Sequence, residues 1–448
     1  MSRPGPRRTP ITGDPRIDAP RALVEILSGR RRSTDIVNEA RASWPGDPRD
    51  AALFQALVMG VLRRRLALAA VLAPFLHRKL ENSPPLVRET LLCMALQTLY
   101  LDRVPAHARV SASVDAIRRL AGEPAAKFVN AVGRNLERRL AQGDPRLGLP
   151  PEVLASLPAP LLARVKAADP GPWDDALLDA LTADAPSTLR VNRIATTRDA
   201  ALADLAARGM TARPTPWAVD GILVDDGTPL ANHKLVPRVV VPQDEASQLV
   251  VEALAPRDGE SILDLCAGTG IKTSHLYSRA PKARVRAVDL DGGKLVRCVA
   301  LCKAMGLPQP ETTTSDARTL AAGGLAGTAD AILLDAPCTG LGTLVRRPEV
   351  RYVRSDDDVA PAAALQAELL NAAVCLLKPG GRLVYAVCSF TDEEGPAVVQ
   401  AVLAGAPGLR VDPIPLDAPF RAADGTLRIL PWRHGMDGFY VACLRKEG

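Results

Sequence analysis

Two cysteines stand where apolar runs give way to loops: Cys338 in "LLDAPCTGLGTLVRRPEVR" (333–351) and Cys388 in "GRLVYAVCSF". A thiolate is a strong nucleophile near neutral pH and forms covalent intermediates that divide one hard step into easier ones. Methylation of a cytosine at C5 is chemistry of that kind. The carbon is a poor nucleophile until a thiolate adds at C6 and turns the ring into an enamine, after which C5 can attack a sulfonium methyl group. The C5 proton must then leave and the thiol be eliminated, so a second acid or base beside the adduct is useful. Spacing alone does not say which thiol attacks. The other six cysteines, Cys93, Cys266, Cys298, Cys302, Cys375 and Cys443, are too sparse for a disulfide scaffold. Buried, reduced thiols are the expectation for five of them. Cys298 and Cys302 share a helix face but have no accompanying ligand pair, so no metal site is expected.

A second constellation lies upstream. "ILDLCAGTGIKTSHL" reads as an apolar strand, a small-residue loop and a helix start. Such a loop lets a ligand approach the backbone, and the free N–H groups of the helix favour an anionic group. Asp289 follows in "RAVDLD", placed to accept hydrogen bonds from ribose hydroxyls. Asp316 in "TTTSDAR" and Asp335 in "LLDAPC" follow the next two strands. "GTGIKT" lacks the spacing of a phosphate-binding GxxxxGK loop, which favours a nucleoside cofactor without a polyphosphate. S-adenosylmethionine fits. Acids that cap the helices after each strand would account for any one of these residues, though poorly for the set.

The elements that must position these groups follow from periodicity. From Ser261 onward the apolar runs "SILDL", "RVRAVDL", "ETTTS", "AILLDA" and "RLVYAV" alternate with helical stretches at about 271–280, 292–305, 362–377 and 392–404. This predicts a doubly wound, mostly parallel sheet with ligands at the carboxyl ends of its strands. Residues 21–140 show only helical spacing, as in "AALFQALVMGVLRRRLALAAVLAPFL" and "PLVRETLLCMALQTLYL". "QGDPRLGLPPE" carries linker punctuation, and the segment after it mixes a helix with extended pieces. The fold class is therefore multidomain: an all-α N-terminal domain, a small α+β middle module and an α/β Rossmann-like C-terminal domain.

Charge sharpens this division. Residues 1–140 hold 24 Lys+Arg against 13 Asp+Glu, a net +11, and the rest of the chain carries −5. A polyanion, most commonly nucleic acid, is the partner such an excess suits, against the alternative of a merely solvated basic surface. The basic, Pro-rich start is not followed by an apolar h-region, and the run "LALAAVLAPFL" (66–76) is shorter than the roughly 20 residues that span a bilayer. A cytosolic protein without a membrane association is expected.

The motifs "QDEASQL" (243–249), "LDLCAGTGIKT", "VDLD", "LLDAPCTGLGTLVRRPEVR", "LKPGGRLVYAVCSF" and "DGFYVACLRK", in this order and spacing, resemble the Sun family of RNA 5-methylcytosine methyltransferases. The helical part, with "FVNAVGRNLERR", is similar to a NusB-type RNA-binding domain. The resemblance covers nearly the whole chain. Composition gives a flexible basic arm at 1–18 and a linker at 142–152, and the resemblance implies a NusB-like domain at 19–141, a small α+β RNA-binding module at 153–240 and a methyltransferase domain at 241–448. It implies S-adenosylmethionine as cofactor, bound by Cys266, Ala267, Gly268, Thr269, Gly270, Ile271 and Lys272 together with Asp289, Asp316 and Asp335. It also implies Cys388 as the nucleophile, Cys338 as the residue that assists release, and Asp335 near the target base. The implied substrate is ribosomal RNA, small-subunit RNA foremost, and the expected state is a monomer. Two rivals stand beside this reading: a paralogue acting on transfer RNA or another ribosomal site, and a non-catalytic RNA-binding or transcription-factor-like protein with a degenerate methyltransferase domain.

The chain departs from the family pattern at three places. Its loop has Gly268, Thr269 and Ile271 where Ala, Pro and Gly are usual. A β-branched residue is strained at positive φ, so the turn is expected at Gly268 and Gly270. Val387 replaces a Thr before the implied nucleophile, and Gly395 replaces an Asn after Glu393 and Glu394.

Overall fold

The computed structural model describes residues 10–101, 105–225 and 235–448. They divide into two compact units, one of Met1–Ala183 with Leu344–Ser355, the other of Asp184–Thr343 with Asp356–Gly448.

The first unit is helical, as its periodicity predicts. Its helices begin with local signals. Asp14 and Asp47 accept from the N–H groups of Arg16 and Arg49, with Pro15 and Pro48 opening the helices Pro15–Leu27 and Pro48–Leu72. Each such cap contributes about 1 kcal/mol. The helical stretch Ala106–Ala141 is broken at Gly122, which takes φ +81° two residues before Pro124. Phe54, Leu57, Leu91, Leu92, Ile117 and Leu136 form part of one buried core.

One sequence expectation needs correction here. The basic arm was expected to reach residue 18, but the helix starts at Pro15 and Asp18 is buried. Its carboxylate accepts from the backbone N–H groups of Thr12 and Gly13, so only residues before this cap can be an arm. Residues 1–9 of the expected arm lie outside the described residues. The segment Leu344–Ser355, downstream of Cys338, belongs to the helical unit. Buried Arg351 donates to the carbonyls of Arg63 (3.4 Å), Ala155 (2.7 Å) and Leu181. Buried Glu349 accepts from Ser33 Oγ at 2.6 Å, and Arg347 Nε lies 3.6 Å from its carboxylate.

The second unit holds two sheets. Strands β1 (Ser187–Val191), β2 (Ala212–Pro214), β3 (Gly221–Val224) and β4 (Val240–Pro242) form an antiparallel sheet in the order β2-β3-β1-β4. The division between the units falls at 183/184, inside the segment expected as one module from 153 to 240. Buried Arg190 of β1 donates to Ser274 Oγ at 2.9 Å, and Asn192 Nδ2 to the carbonyl of Met305 at 2.9 Å. These bonds tie the small sheet to the larger one's helices.

The larger sheet contains β5 (Ser261–Leu265), β6 (Arg284–Asp289), β7 (Glu311–Thr314), β8 (Ala329–Asp335), β9 (Leu377–Val387), β10 (Leu409–Val411), β11 (Leu427–Ile429) and β12 (Phe439–Lys446). Its path is β7-β6-β5-β8-β9-β12-β10, with β11 on β12. The first five strands of the path are parallel, and β12 runs antiparallel to β9 and β10. The chain leaves β5 for β6 and β7 on one side and returns to β8 and β9 on the other. The crevice at the carboxyl end of β5 is therefore the switch point where such sheets take ligands. Apolar helices cover the sheet. Asp356–Leu376, the one helix among the described residues long and apolar enough to cross a bilayer, contributes Leu369, Leu370, Ala373 and Leu376 to a core that also contains Leu334, Leu383 and Tyr385.

Candidate functional site

A cavity of about 190 Å³ opens at this switch point, lined by Asp264, Cys266, Ala267, Thr269, Ile271, Lys272 and Asp335. The loop after β5 turns at three positive φ values: Cys266 at +63°, Gly268 at +58° and Gly270 at +87°. The two glycines take the turn as their residue type requires, and Ile271 is released to open the helix Ile271–Arg279. Gly270 also has no room for a side chain, because a Cβ there would stand 2.4 Å from Cys298 Sγ. Cys266 carries the third turn, which the sequence did not signal. Burial, with Asp335 and Asp289 nearby, pushes its thiol up to about 12. Such a shift disfavours the thiolate that a nucleophile needs.

Asp289 ends β6 and holds the loop. Its carboxylate accepts from the Gly268 N–H at 2.9 Å and from the Asp291 N–H at 2.9 Å. Asp335 ends β8 and accepts from Lys272 Nζ at 2.7 Å. Burial alone would lower the lysine's pKa, but the Asp335 charge and hydrogen bond outweigh it and the net shift is upward. Asp316 caps Ala317–Thr319 and pairs with Arg318 at 2.6 Å; like Asp289, it is not part of the cavity wall.

The sequence reading passed over Asp264, in the middle of β5. It is fully buried, and Thr273 Oγ1 donates to its Oδ2 at 2.6 Å. Among the described residues its Oδ1 has no partner, and the residue lines the cavity. Burial raises its pKa to about 7 against the opposing Thr273 bond, with Asp335 adding to the rise. The signal was a carboxylate inside the apolar run "ILDL". An orphaned buried acceptor facing a cavity is the kind of group that a ligand's cation satisfies.

The two thiols meet. Cys388 directly follows β9, Cys338 lies three residues beyond β8, and their Sγ atoms are 3.2 Å apart. The contact with Cys388 and burial hold the Cys338 thiol well above the usual cysteine range, so Cys338 keeps its proton at neutral pH. The loops are also joined through backbone: Gly342 N–H donates to the Cys388 carbonyl at 3.0 Å, and Gly438 N–H to the Gly342 carbonyl at 2.8 Å. A Cβ at Gly342 would stand 2.0 Å from the Gly438 oxygen. Two of the departures from the family pattern now have structural settings. Val387 is buried in an apolar core, and a side chain at Gly395 would meet the Tyr440 ring at 2.8 Å.

Elsewhere, ligand atoms of Asp220, Glu252 and His275 lie within 4.8 Å of one another. Arg193 and Arg279 already stand 2.6 and 3.0 Å from the Asp220 carboxylate, where a cation would sit.

A sheet of this order with one antiparallel strand, a small-residue loop at its switch point and paired thiols on the same rim define a Rossmann-like methyltransferase as its class. The family models agree: residues 251–445 match 16S rRNA methyltransferase RsmB/F, residues 15–138 the NusB family and residues 157–231 the ferredoxin-like domain of RsmF/B-like methyltransferases. The chain belongs to the ribosomal RNA small subunit methyltransferase B family. It is 35% identical over 403 residues to that protein of Vibrio cholerae, covering 89% of this chain and 90% of the relative. To that of Pseudomonas putida it is 33% identical over 440 residues, covering 97% and 98%. Among solved structures, the protein PH0851 shares the fold with a TM-score of 0.81 at 22% identity, covering 98% of this chain and all of the other. A methyltransferase homolog from Pyrococcus horikoshii gives a TM-score of 0.53 at 26% identity over 60% of this chain and 90% of its own.

Proposed function

We propose that this protein transfers a methyl group from S-adenosylmethionine to C5 of a cytosine in small-subunit ribosomal RNA through a covalent adduct with Cys388. The observation that carries this reading is the pair of thiols 3.2 Å apart on the rim of the switch-point crevice. The relatives' names supply the RNA.

The residues at the switch point fit the cofactor. Asp264, with its unpartnered Oδ1 on the cavity wall, would take the amino group, and the loop Cys266–Lys272 would lie along the ligand. Asp289, beside the cavity and bonded to the Gly268 N–H, would take the ribose hydroxyls. When bound, S-adenosylmethionine supplies an electrophilic methyl group on a sulfonium. Asp316, paired with Arg318, is the weakest member of the expected set.

The attack is assigned to Cys388, as the resemblance to the family implies. Its sulfur forms a bond to C6 of the base, and the ring's electrons gather at C5, which takes the methyl group. C5 then loses its proton to a base and the S–C6 bond breaks, returning both electrons to Cys388 sulfur. Cys338, protonated and in contact with that sulfur, stabilises the departing thiolate. Asp335, held by Lys272 between the cavity and the Cys338 loop, positions the base. The target must be unpaired or flipped to reach this rim. The basic excess of residues 1–140 would hold the RNA by its phosphates.

Bisulfite sequencing of ribosomal and transfer RNA from cells with and without this protein tests the reading. One small-subunit cytosine should lose its protection, and an unchanged map of both RNAs would reject the proposal.

A further inference from the structure

Behind the two thiols lies the carboxylate of Glu394, the neighbour of Gly395. Glu394 is fully buried. Its Oε1 accepts from Thr339 N–H at 2.8 Å and Gln366 Nε2 at 3.1 Å. Its Oε2 accepts from Thr339 Oγ1 at 2.6 Å, Ser389 Oγ at 2.6 Å and Thr391 Oγ1 at 3.1 Å. Thr339 is the residue after Cys338, and Ser389 the residue after Cys388. Gln366 reaches further, since its Nε2 also donates to the carbonyl of Pro337 at 3.0 Å, just before Cys338. One side chain thus receives donors from both thiol loops and from a helix beside them. Tyr385 OH, donating to the Glu394 carbonyl at 2.6 Å, fixes its backbone from below.

We propose that Glu394 is a positioning residue that ties the Cys338 and Cys388 loops together and so sets the separation of the two thiols. The proposal rests on the reading of these thiols as attacking and releasing groups, and extends it to the device that holds them. A buried carboxylate suits this task. Five donors converge on two oxygens, so each loop's position is fixed by the other's. An adduct on one sulfur stays within reach of the other only if neither loop drifts, and displacement by about 1 Å costs up to a hundredfold in rate.

The test reads thiol separation without the reaction. The azo oxidant diamide takes one hydrogen from each thiol, is reduced to the hydrazine, and leaves a disulfide; mass spectrometry of peptides then follows the Cys338–Cys388 linkage by itself. In the full-length protein this linkage should form readily. Glu394→Ala should slow it by roughly tenfold or more, with single-turnover methylation falling in parallel. Glu394→Gln should stay near the native rate, because its oxygen can keep Thr339 N–H and Gln366 while two of the three hydroxyls, Thr339 and Ser389, turn to accept its two amide hydrogens and Thr391 Oγ1 keeps its contact with Ser389 Oγ at 3.2 Å. Native crosslinking in a folded Glu394→Ala protein overturns the proposal. Should that variant not fold, the pair Thr339→Val and Ser389→Ala cuts the same tie, and a native rate there overturns it equally. Slowed crosslinking with unimpaired methylation would instead sink the two-thiol reading, and the proposal with it. The two failures are therefore distinguishable.

Discussion

Lys272 Nζ stands 2.7 Å from Asp335 Oδ2, joining the helix after the cofactor loop to the end of the strand that leads to Cys338. The lysine side chain is only 11% exposed and its ammonium lies 5.5 Å from the centre of the Phe439 ring. Its raised pKa means the pair's stabilisation is fully present below the usual lysine range and is lost only as pH climbs through the higher folded value. Lys272→Met should therefore destabilise the protein by roughly 1–3 kcal/mol at neutral pH, read by urea unfolding. Methyl transfer should fall by about tenfold or more as Asp335 loses its orientation. Native activity in this variant would remove Asp335 from the mechanism.

The two thiols should fail in different ways. Cys388→Ala is expected to abolish methylation and form no adduct. Cys338→Ala should attack but release slowly, so that a protein–RNA band survives a denaturing gel. Exchange of these two phenotypes would reverse the assignment.

Asp264 links cofactor affinity to stability. Its folded pKa is raised above the unfolded value of 3.8 to about 7. The ligand-free protein is thus favoured at low pH, and that advantage is lost as pH rises from about 4 to 7. Asp264→Asn removes the penalty and should raise stability at pH 8 by roughly 2–4 kcal/mol. It should leave stability at pH 4 nearly unchanged. The same variant should weaken S-adenosylmethionine binding by about tenfold or more, measured by calorimetry. A pH-independent effect on melting would show that Asp264 is not ionising in this range.

Arg351 anchors Leu344–Ser355 in the helical unit. Burial lowers its pKa to about 10, which still leaves it charged at neutral pH. Arg351→Met strands the carbonyls of Ala155 and Leu181 and should cost about 3 kcal/mol, seen as a lower denaturation midpoint. Cofactor affinity, set in the other unit, should not move. An unchanged midpoint would mean that the segment is not part of the helical core.

Much of this was legible in the residues. Alternation of apolar runs with helical spacing placed the strands from Ser261 to Val387, because the side-chain periods of strand and helix are local properties of the chain. The turn at Gly268 and Gly270 was legible for the same reason, since allowed φ depends on residue type. Asp289 and Asp335 were found because a parallel sheet brings successive strand ends to one rim. That rule also placed Cys338 and Cys388 together. Asp316, at the end of the next strand, is paired with its neighbour Arg318.

What only the tertiary structure decided concerns distant residues. Strand β12 runs antiparallel between β9 and β10, and Leu344–Ser355 joins a unit whose other residues lie some 160 or more positions earlier. Asp264 Oδ1 became an orphan only once its neighbours were in place, and Glu394 became the meeting point of two loops only when residues 339, 366 and 389 converged on it. The sequence by itself determined which groups could do the chemistry and which ends of the sheet would carry them. Packing decided their spacing and partners, because a buried polar atom is satisfied by whatever the fold brings within hydrogen-bond distance, however far away in the chain it lies.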